Sequence, residues 1–183
     1  LYANEYYKKF VLPHGLNLIS DSLDILRKKY DLIIMEGAGS PAEINLEKFD
    51  IANMRVAVKS NSPVILITDT DRGGSFASIV GTLQLLDQKY RKLVKGFVFN
   101  KFRGDLEILK PGFRKIKQNT GKPVFGTIPM ANFSLPEEDS LGVKPKTMIW
   151  NKKNIKIMDR EIEKLSKLVN SSINIKAIER LFK

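Results

Sequence analysis

DLIIMEGAGSPAEINL, Asp31 to Leu46, is the stretch whose reading decides the fold of this chain. After its first residue, Asp31-Leu32-Ile33-Ile34-Met35 is continuously apolar with no polar alternation, which predicts a buried parallel strand. Glu36 follows at the carboxyl end of that strand, where open α/β sheets place their ligands. Gly37 and Gly39 allow positive φ and a close approach of backbone to ligand. One acid at a strand tip beside bare backbone suits a metal–phosphate site. The same residues also suit an ordinary turn after a strand, and this stretch alone leaves both readings open.

Outward from it, the pattern alternates. Leu16, Ile19, Leu23 and Leu26 predict a helix leading into the Asp31 strand, and Ile51, Met54 and Val58 mark one after the glycine turn. Pro63 to Thr68 (PVILIT) predicts a second buried strand. Ser75 is placed to cap a helix whose Phe76, Ile79, Val80 and Leu83 share one face. Gly96 to Asn100 (GFVFN) predicts a third strand, Pro111 to about Thr120 a helix stopped by Gly121, and Pro123 to Ile128 (PVFGTI) a fourth strand. Alternation of this kind predicts an α/β fold, a mostly parallel sheet with helices on both faces. Leu135 to Asn154 has no period and reads as loop. Ile162, Leu165, Leu168 and Val169 predict an amphipathic helix, and Ile175 to Phe182 another.

Composition narrows the function. The 183 residues are 43% hydrophobic and 28% charged, ordinary values for one domain with a real core. No apolar run reaches membrane-span length, and Leu1 to Phe10, interrupted by Lys8 and Lys9, does not read as a signal peptide. The chain has no cysteine, which excludes disulfides, thiolate catalysis and cysteine-ligated metals, and fits a cytoplasmic protein. The net charge of +11 invites a nucleic-acid reading, but the bases are scattered and no nucleic-acid motif accompanies them. His14 is the only histidine, which leaves no Ser-His-Asp mechanism within the chain.

Four candidate sites fall at the ends of the four predicted strands. The first is Glu36 with Gly37 and Gly39. The second is Thr68-Asp69-Thr70-Asp71-Arg72-Gly73-Gly74-Ser75, where two aspartates could hold Mg²⁺, Arg72 could neutralise phosphate, and the helix start supplies amide donors. In the third, Asn100-Lys101-Phe102-Arg103-Gly104-Asp105, a side-chain amide has the donor and acceptor needed to read a purine edge. The fourth is Pro129-Met130, where a proline ring could pack on a base. Gly121-Lys122 is a helix stop, since Pro123 stands where a phosphate loop needs Ser or Thr. Glu137-Glu138-Asp139 reads as a solvated acidic loop.

EGAGSPAEINL, DRGGSFASIVGTL, GFVFNKFRGDLEILKPG, GKPVFGTIP and LPEEDS, in this order, resemble the amidoligase domain of the cobyric acid synthase family. The resemblance runs from about Ala3 to Ser140. It implies a dethiobiotin-synthetase-like, P-loop NTPase type of fold over residues 1–150, with terminal helices at 151–183. It implies ATP and Mg²⁺ as cofactors and a corrinoid substrate of the cobyrinic acid diamide type. ATP would phosphorylate a corrin-ring carboxylate, and ammonia from a glutaminase domain or subunit would displace the phosphate.

By that resemblance Glu36 is a magnesium ligand with Asp69 as a second metal candidate, Asn100 reads adenine, and Pro129 lines the base pocket. Gly37, Gly39, Gly73, Gly74 and Lys101 join the nucleotide site. Glu43 falls where the related diamide synthases carry an acid facing the substrate, and Asp71 and Arg72 lie near phosphates and corrinoid carboxylates. The family's phosphate loop has no match in these residues, and its Cys-His-Glu glutaminase cannot lie in a chain without cysteine. The expectation is therefore the latter part of the ligase domain without its first strand, with no nucleic-acid or membrane partner and with a homodimer left open. A non-catalytic nucleotide-binding remnant and a partition-type ATPase are the competing readings.

Overall fold

A computed structural model describes residues 3–135 and 152–182. The chain opens on a continuous helical run: α1 (Ala3–Tyr6), a π-wound segment (Tyr7–Gly15) and α2 (Leu16–Arg27). It starts well before Leu16, where the apolar spacing begins. Pro13 has no N–H to give, and the wider winding around it accommodates the missing hydrogen bond. Next come α3 (Met54–Ser60), β1 (Val64–Asp69), α4 (Ser75–Leu85), α5 (Gln88–Arg91) and β2 (Val94–Phe102). A short 3₁₀ turn, Leu106–Leu109, leads into α6 (Lys110–Thr120), then β3 (Val124–Pro129), α7 (Lys152–Ser172) and α8 (Ile175–Glu179).

The sheet has three parallel strands in the order β1-β2-β3. Consecutive residues Phe97, Val98 and Phe99 of central β2 are all buried, so both faces of that strand are covered. Phe99 is the hub on one face, with Phe76 of α4 at 4.9 Å and Phe113 of α6 at 5.0 Å between ring centroids. Met54, Ile79, Leu83, Leu86, Tyr90 and Ile116 complete the core around it. Gly112 lets the two helices close on each other, because a Cβ there would lie 2.4 Å from Phe76 Cζ. Gly121, at φ 70°, ends α6 as predicted.

Three further expectations about the sheet and α4 need correction. Asp31–Met35 forms no strand: Leu32 and Ile34 are exposed, Ile34 by 86%, and no ladder partner among the described residues runs beside them. A parallel strand cannot exist singly, because its N–H and C=O groups need neighbours. Second, β1 is not fully buried; Ile67 is 66% exposed and its outer edge pairs with no described strand. Third, Ser75 is not the cap of α4. Gly74, left-handed at φ 69°, holds that position, and Ser75 is the first helical residue and buried.

The terminal helices pack along β3. Ile173 bridges Gly126, and the Asn174 N–H donates to the Phe125 carbonyl at 2.7 Å. Glu161 of α7 is buried, where it accepts the Ser134 N–H at 3.0 Å and pairs with Lys164. Of the predicted loop from Leu135 to Asn154, residues 136–151 lie outside the described residues, and Lys152 to Asn154 belong to α7. Glu137-Glu138-Asp139 lies outside the described residues. Among the described residues no helix is long and apolar enough to cross a membrane.

Candidate functional site

The carboxyl ends of β1 and β2 lie side by side, with Asp69 in register with Asn100. Beyond that point the chains stay tied. The Thr70 N–H and Thr70 Oγ1 both donate to the Asn100 carbonyl at 2.9 Å. Two ion pairs then bridge the strand ends: Lys101 Nζ to Asp69 Oδ2 at 2.8 Å and Arg103 Nε to Asp71 Oδ1 at 2.9 Å. Lys101 holds a left-handed backbone at φ 59°, a conformation costing an ordinary side chain about 1 kcal/mol. Backbone strain of this kind concentrates at functional sites. The Lys101 ammonium, then the Asp71 N–H at 2.8 Å, hold the Asp69 carboxyl below the usual aspartate range.

These residues border a cavity of about 310 Å³ lined by Thr70, Asp71, Ser75, Lys101, Phe102 and Arg103. Gly73 and Gly74 turn the chain into α4 with positive φ, so the first amides of an 11-residue helix open at this end of the sheet. Ser75 is only 8% exposed and lines this cavity. Two cations, each paired with an aspartate, a helix start and a hydroxyl are chemistry for a phosphate or carboxylate. Arg72 is exposed beside them and makes no ion pair among the described residues.

Asn100 folds its side-chain oxygen back onto the Lys101 N–H at 2.9 Å. Its amide nitrogen remains available to donate to a ligand ring nitrogen. Pro129 ends β3 in register with Phe102, and the Met130 N–H donates to the Phe102 carbonyl at 2.8 Å. Asn100, Lys101 and Pro129 therefore share one end of the sheet.

Glu36, Gly37, Gly39 and Glu43 belong to a different neighbourhood. Gly39 and Glu43 line a second groove of about 420 Å³, bordered by Tyr6, Tyr7, Leu46 and Tyr90. Glu36 is exposed on the turn leading to it and lines neither cavity. Among the described residues no three carboxylate or imidazole groups cluster as a metal site. Magnesium is commonly held by only one or two carboxylates plus phosphate oxygens; Glu36 offers one exposed carboxylate but does not line the cavity that Lys101 and Arg103 border. Asp69 fits less well, because Lys101 and the Asp71 N–H already occupy its oxygens.

Sequence reasoning passed over Asp50 and Asn53. Asp50 accepts the N–H groups of Ala52, Asn53 and Arg55 and so holds the turn that leads into α3, while Asn53, at the N-cap position, reaches back to Ala38. An acid shortly ahead of a helix was the available signal for Asp50. No local pattern announces Asn53, whose partner is 15 positions away.

A family profile described as an AAA domain matches residues 4–137. The chain is 45% identical over 165 residues to a cobyric acid synthase of Desulforamulus reducens, covering 90% of this chain and 32% of that protein. It is 50% identical over 169 residues to a probable cobyric acid synthase of Methanococcus maripaludis, covering 91% of this chain and 33% of the other. A probable cobyric acid synthase of Thermococcus kodakarensis is 53% identical over 142 residues, or 76% of this chain and 29% of that protein. The chain thus spans about a third of the length of these relatives.

Proposed function

Since this chain belongs to the AAA domain family, we propose that it is the nucleotide- and substrate-handling part of an ATP-dependent amidoligase acting on corrin-ring carboxylates. The observation that carries this reading is the similarity to cobyric acid synthases through 90% of the chain, which takes in every segment of the sheet end described above. A carboxylate oxygen of the corrinoid attacks the γ-phosphorus of ATP, ADP departs, and an acyl phosphate forms. Ammonia then attacks the acyl carbon, and phosphate leaves to give the amide.

In such a reaction the protein mainly positions its reactants and neutralises charge. Lys101 and Arg103, braced by Asp69 and Asp71, are oriented to hold phosphoryl oxygens, with the α4 amides and the Ser75 hydroxyl completing the anion site. Arg72 contributes an exposed positive charge from the same loop. Gly73 and Gly74 keep side chains out of the approach to the helix start. Asn100 and Pro129 serve the adenine. Glu36 would be the ligand for magnesium, which supplies neutralisation of the triphosphate when bound, and Glu43 faces the substrate from the second groove. The open edge of β1 presents backbone N–H and C=O groups, and Leu32 and Ile34 present apolar side chains, that a segment outside these residues would cover.

The test is made on the full-length natural protein, incubated with ATP, Mg²⁺, glutamine or ammonia, and a cobyrinic acid diamide-type corrinoid. Mass spectrometry should show conversion of carboxylates to amides, in step with ADP release. Corrinoid left unamidated in every combination of ATP and ammonia source would refute the proposal.

A further inference from the structure

The loop that bears Glu43 is closed at its neck by one side chain. Asn53 Oδ1 accepts the Ala38 N–H at 3.1 Å, and Asn53 Nδ2 donates to the Ala38 carbonyl at 2.8 Å. A single amide therefore satisfies both backbone groups of Ala38, as a neighbouring strand would. The approach depends on residue 37 having no side chain, since a Cβ there would lie 2.2 Å from Asn53 Oδ1.

Behind the clamp stands the core. Met54, the next residue, is 2% exposed and belongs to the central apolar cluster. Asp50 fixes the backbone between them: Oδ1 accepts the N–H groups of Ala52 and Asn53 at 3.0 and 2.7 Å, and Oδ2 accepts that of Arg55 at 3.0 Å. On the loop itself, Arg55 Nη1 holds the Lys48 carbonyl at 2.7 Å and Phe49 stacks on Tyr7 at 4.7 Å. Residues 43–48 are otherwise exposed. The path from core to glycine turn runs through Met54, Asn53 and Ala38.

We propose that Asn53 is a positioning residue. Its amide locks the Gly37–Gly39 turn to the first turn of α3, so that Glu36 on one side of the clamp and Glu43 on the other keep a fixed relation. Asn53 touches no reactant in this account; it acts through the backbone of Ala38. The proposal rests on the amidoligase reading for its catalytic consequence, whereas the clamp itself has an independent readout.

Four variants of the full-length natural protein test it: Asn53→Ala, Asn53→Asp, Gly37→Ala and the double variant Gly37→Ala/Asn53→Ala. Two lost hydrogen bonds should lower kcat/KM for the corrinoid on the order of tenfold in Asn53→Ala and shift magnesium activation upward. Asn53→Asp keeps the acceptor for the Ala38 N–H and should recover part of the loss. Hydrogen exchange should accelerate at the Ala38 amide and through 39–52 while β1, β2 and β3 keep their protection. Gly37→Ala should be damaging alone and nearly silent beside Asn53→Ala, because its clash partner is gone.

If wild type amidates and Asn53→Ala is kinetically unchanged, the positioning role is overturned and the amidoligase reading survives. Loss of protection spread evenly over the sheet would overturn it too, by showing a general stability role. If wild type does not amidate, the amidoligase reading fails, and the exchange at Ala38 still decides whether the clamp exists.

Discussion

Gly112→Ala sets two opposing effects against each other within one helix. Alanine is the better helix former, and away from any contact the exchange would stabilise by up to about 1 kcal/mol. Here the added Cβ would sit 2.4 Å from Phe76 Cζ and 2.6 Å from Cε1, where carbon atoms normally approach to about 3.5–4.0 Å. The Phe76 ring must therefore retreat by about 1 Å or more, yet it lies between Phe99 at 4.9 Å and Phe113 at 6.1 Å. Overpacking a tight core costs about 1–3 kcal/mol, so the net loss should be about 1–2 kcal/mol. For a domain of this length that lowers Tm by roughly 2–8 °C, measured by calorimetry or by circular dichroism on heating. Phe76→Leu gives the new methyl room, and the double variant should be more stable than the sum of the single losses predicts. A Gly112→Ala protein that melts higher than wild type would refute the packing argument.

Further outcomes follow from the same geometry. Lys101→Ala should raise the KM for ATP on the order of tenfold, yet change stability by less than about 1 kcal/mol, because its pair with Asp69 is partly exposed. Lys101→Gly should lose the same affinity but be more stable than Lys101→Ala by about 1 kcal/mol, since glycine accepts the left-handed backbone without strain; urea denaturation separates the two. Phe99→Ala empties the hub of the aromatic cluster and should cost about 3–5 kcal/mol, a large part of the roughly 5–15 kcal/mol a domain possesses. It should appear as a sharp drop in soluble yield and Tm. Asp69 has a folded pKa below its ordinary 3.8, so its contribution to stability is complete above that value and lost as pH falls through the lowered one. Carboxyl NMR titration should find it still ionised at pH values where exposed aspartates are half protonated, and Lys101→Ala should move it upward.

Much of the sheet was legible because the strands of a parallel sheet are written as uninterrupted apolar runs, even where, as in β1, one face is partly exposed. PVILIT, GFVFN and PVFGTI each became a strand, and the glycine after Thr120 ended α6 where expected. The same rule failed for DLIIM. Apolar content records what a segment is suited to, but a strand exists only with a ladder partner, and no composition reveals whether one is at hand. Ser75 was misread as a cap because serine and glycine both favour helix starts, and the positive φ at residue 74 decided between them. Of the candidate residues, Asp71 and Lys101 met around one cavity because adjacent parallel strands deliver their ends together. Glu43 and Gly39 went to another groove, which linear order does not reveal. Asn53 was invisible for a similar reason: its geometry arises only once α3 is docked on the core.

The two margins of the sheet are not equivalent. On the β3 side the Gly126–Ile173 bridge and the Asn174–Phe125 hydrogen bond already engage the strand, and Ser172 occupies the space where a side chain on Gly126 would stand. Nothing among the described residues does this for β1. Strand addition to this molecule is therefore polar, like growth of a crystal with one face poisoned. A strand arriving from elsewhere in the polypeptide, or from another molecule, finds a single productive address, and the number of wrong registries open to it during assembly is cut accordingly.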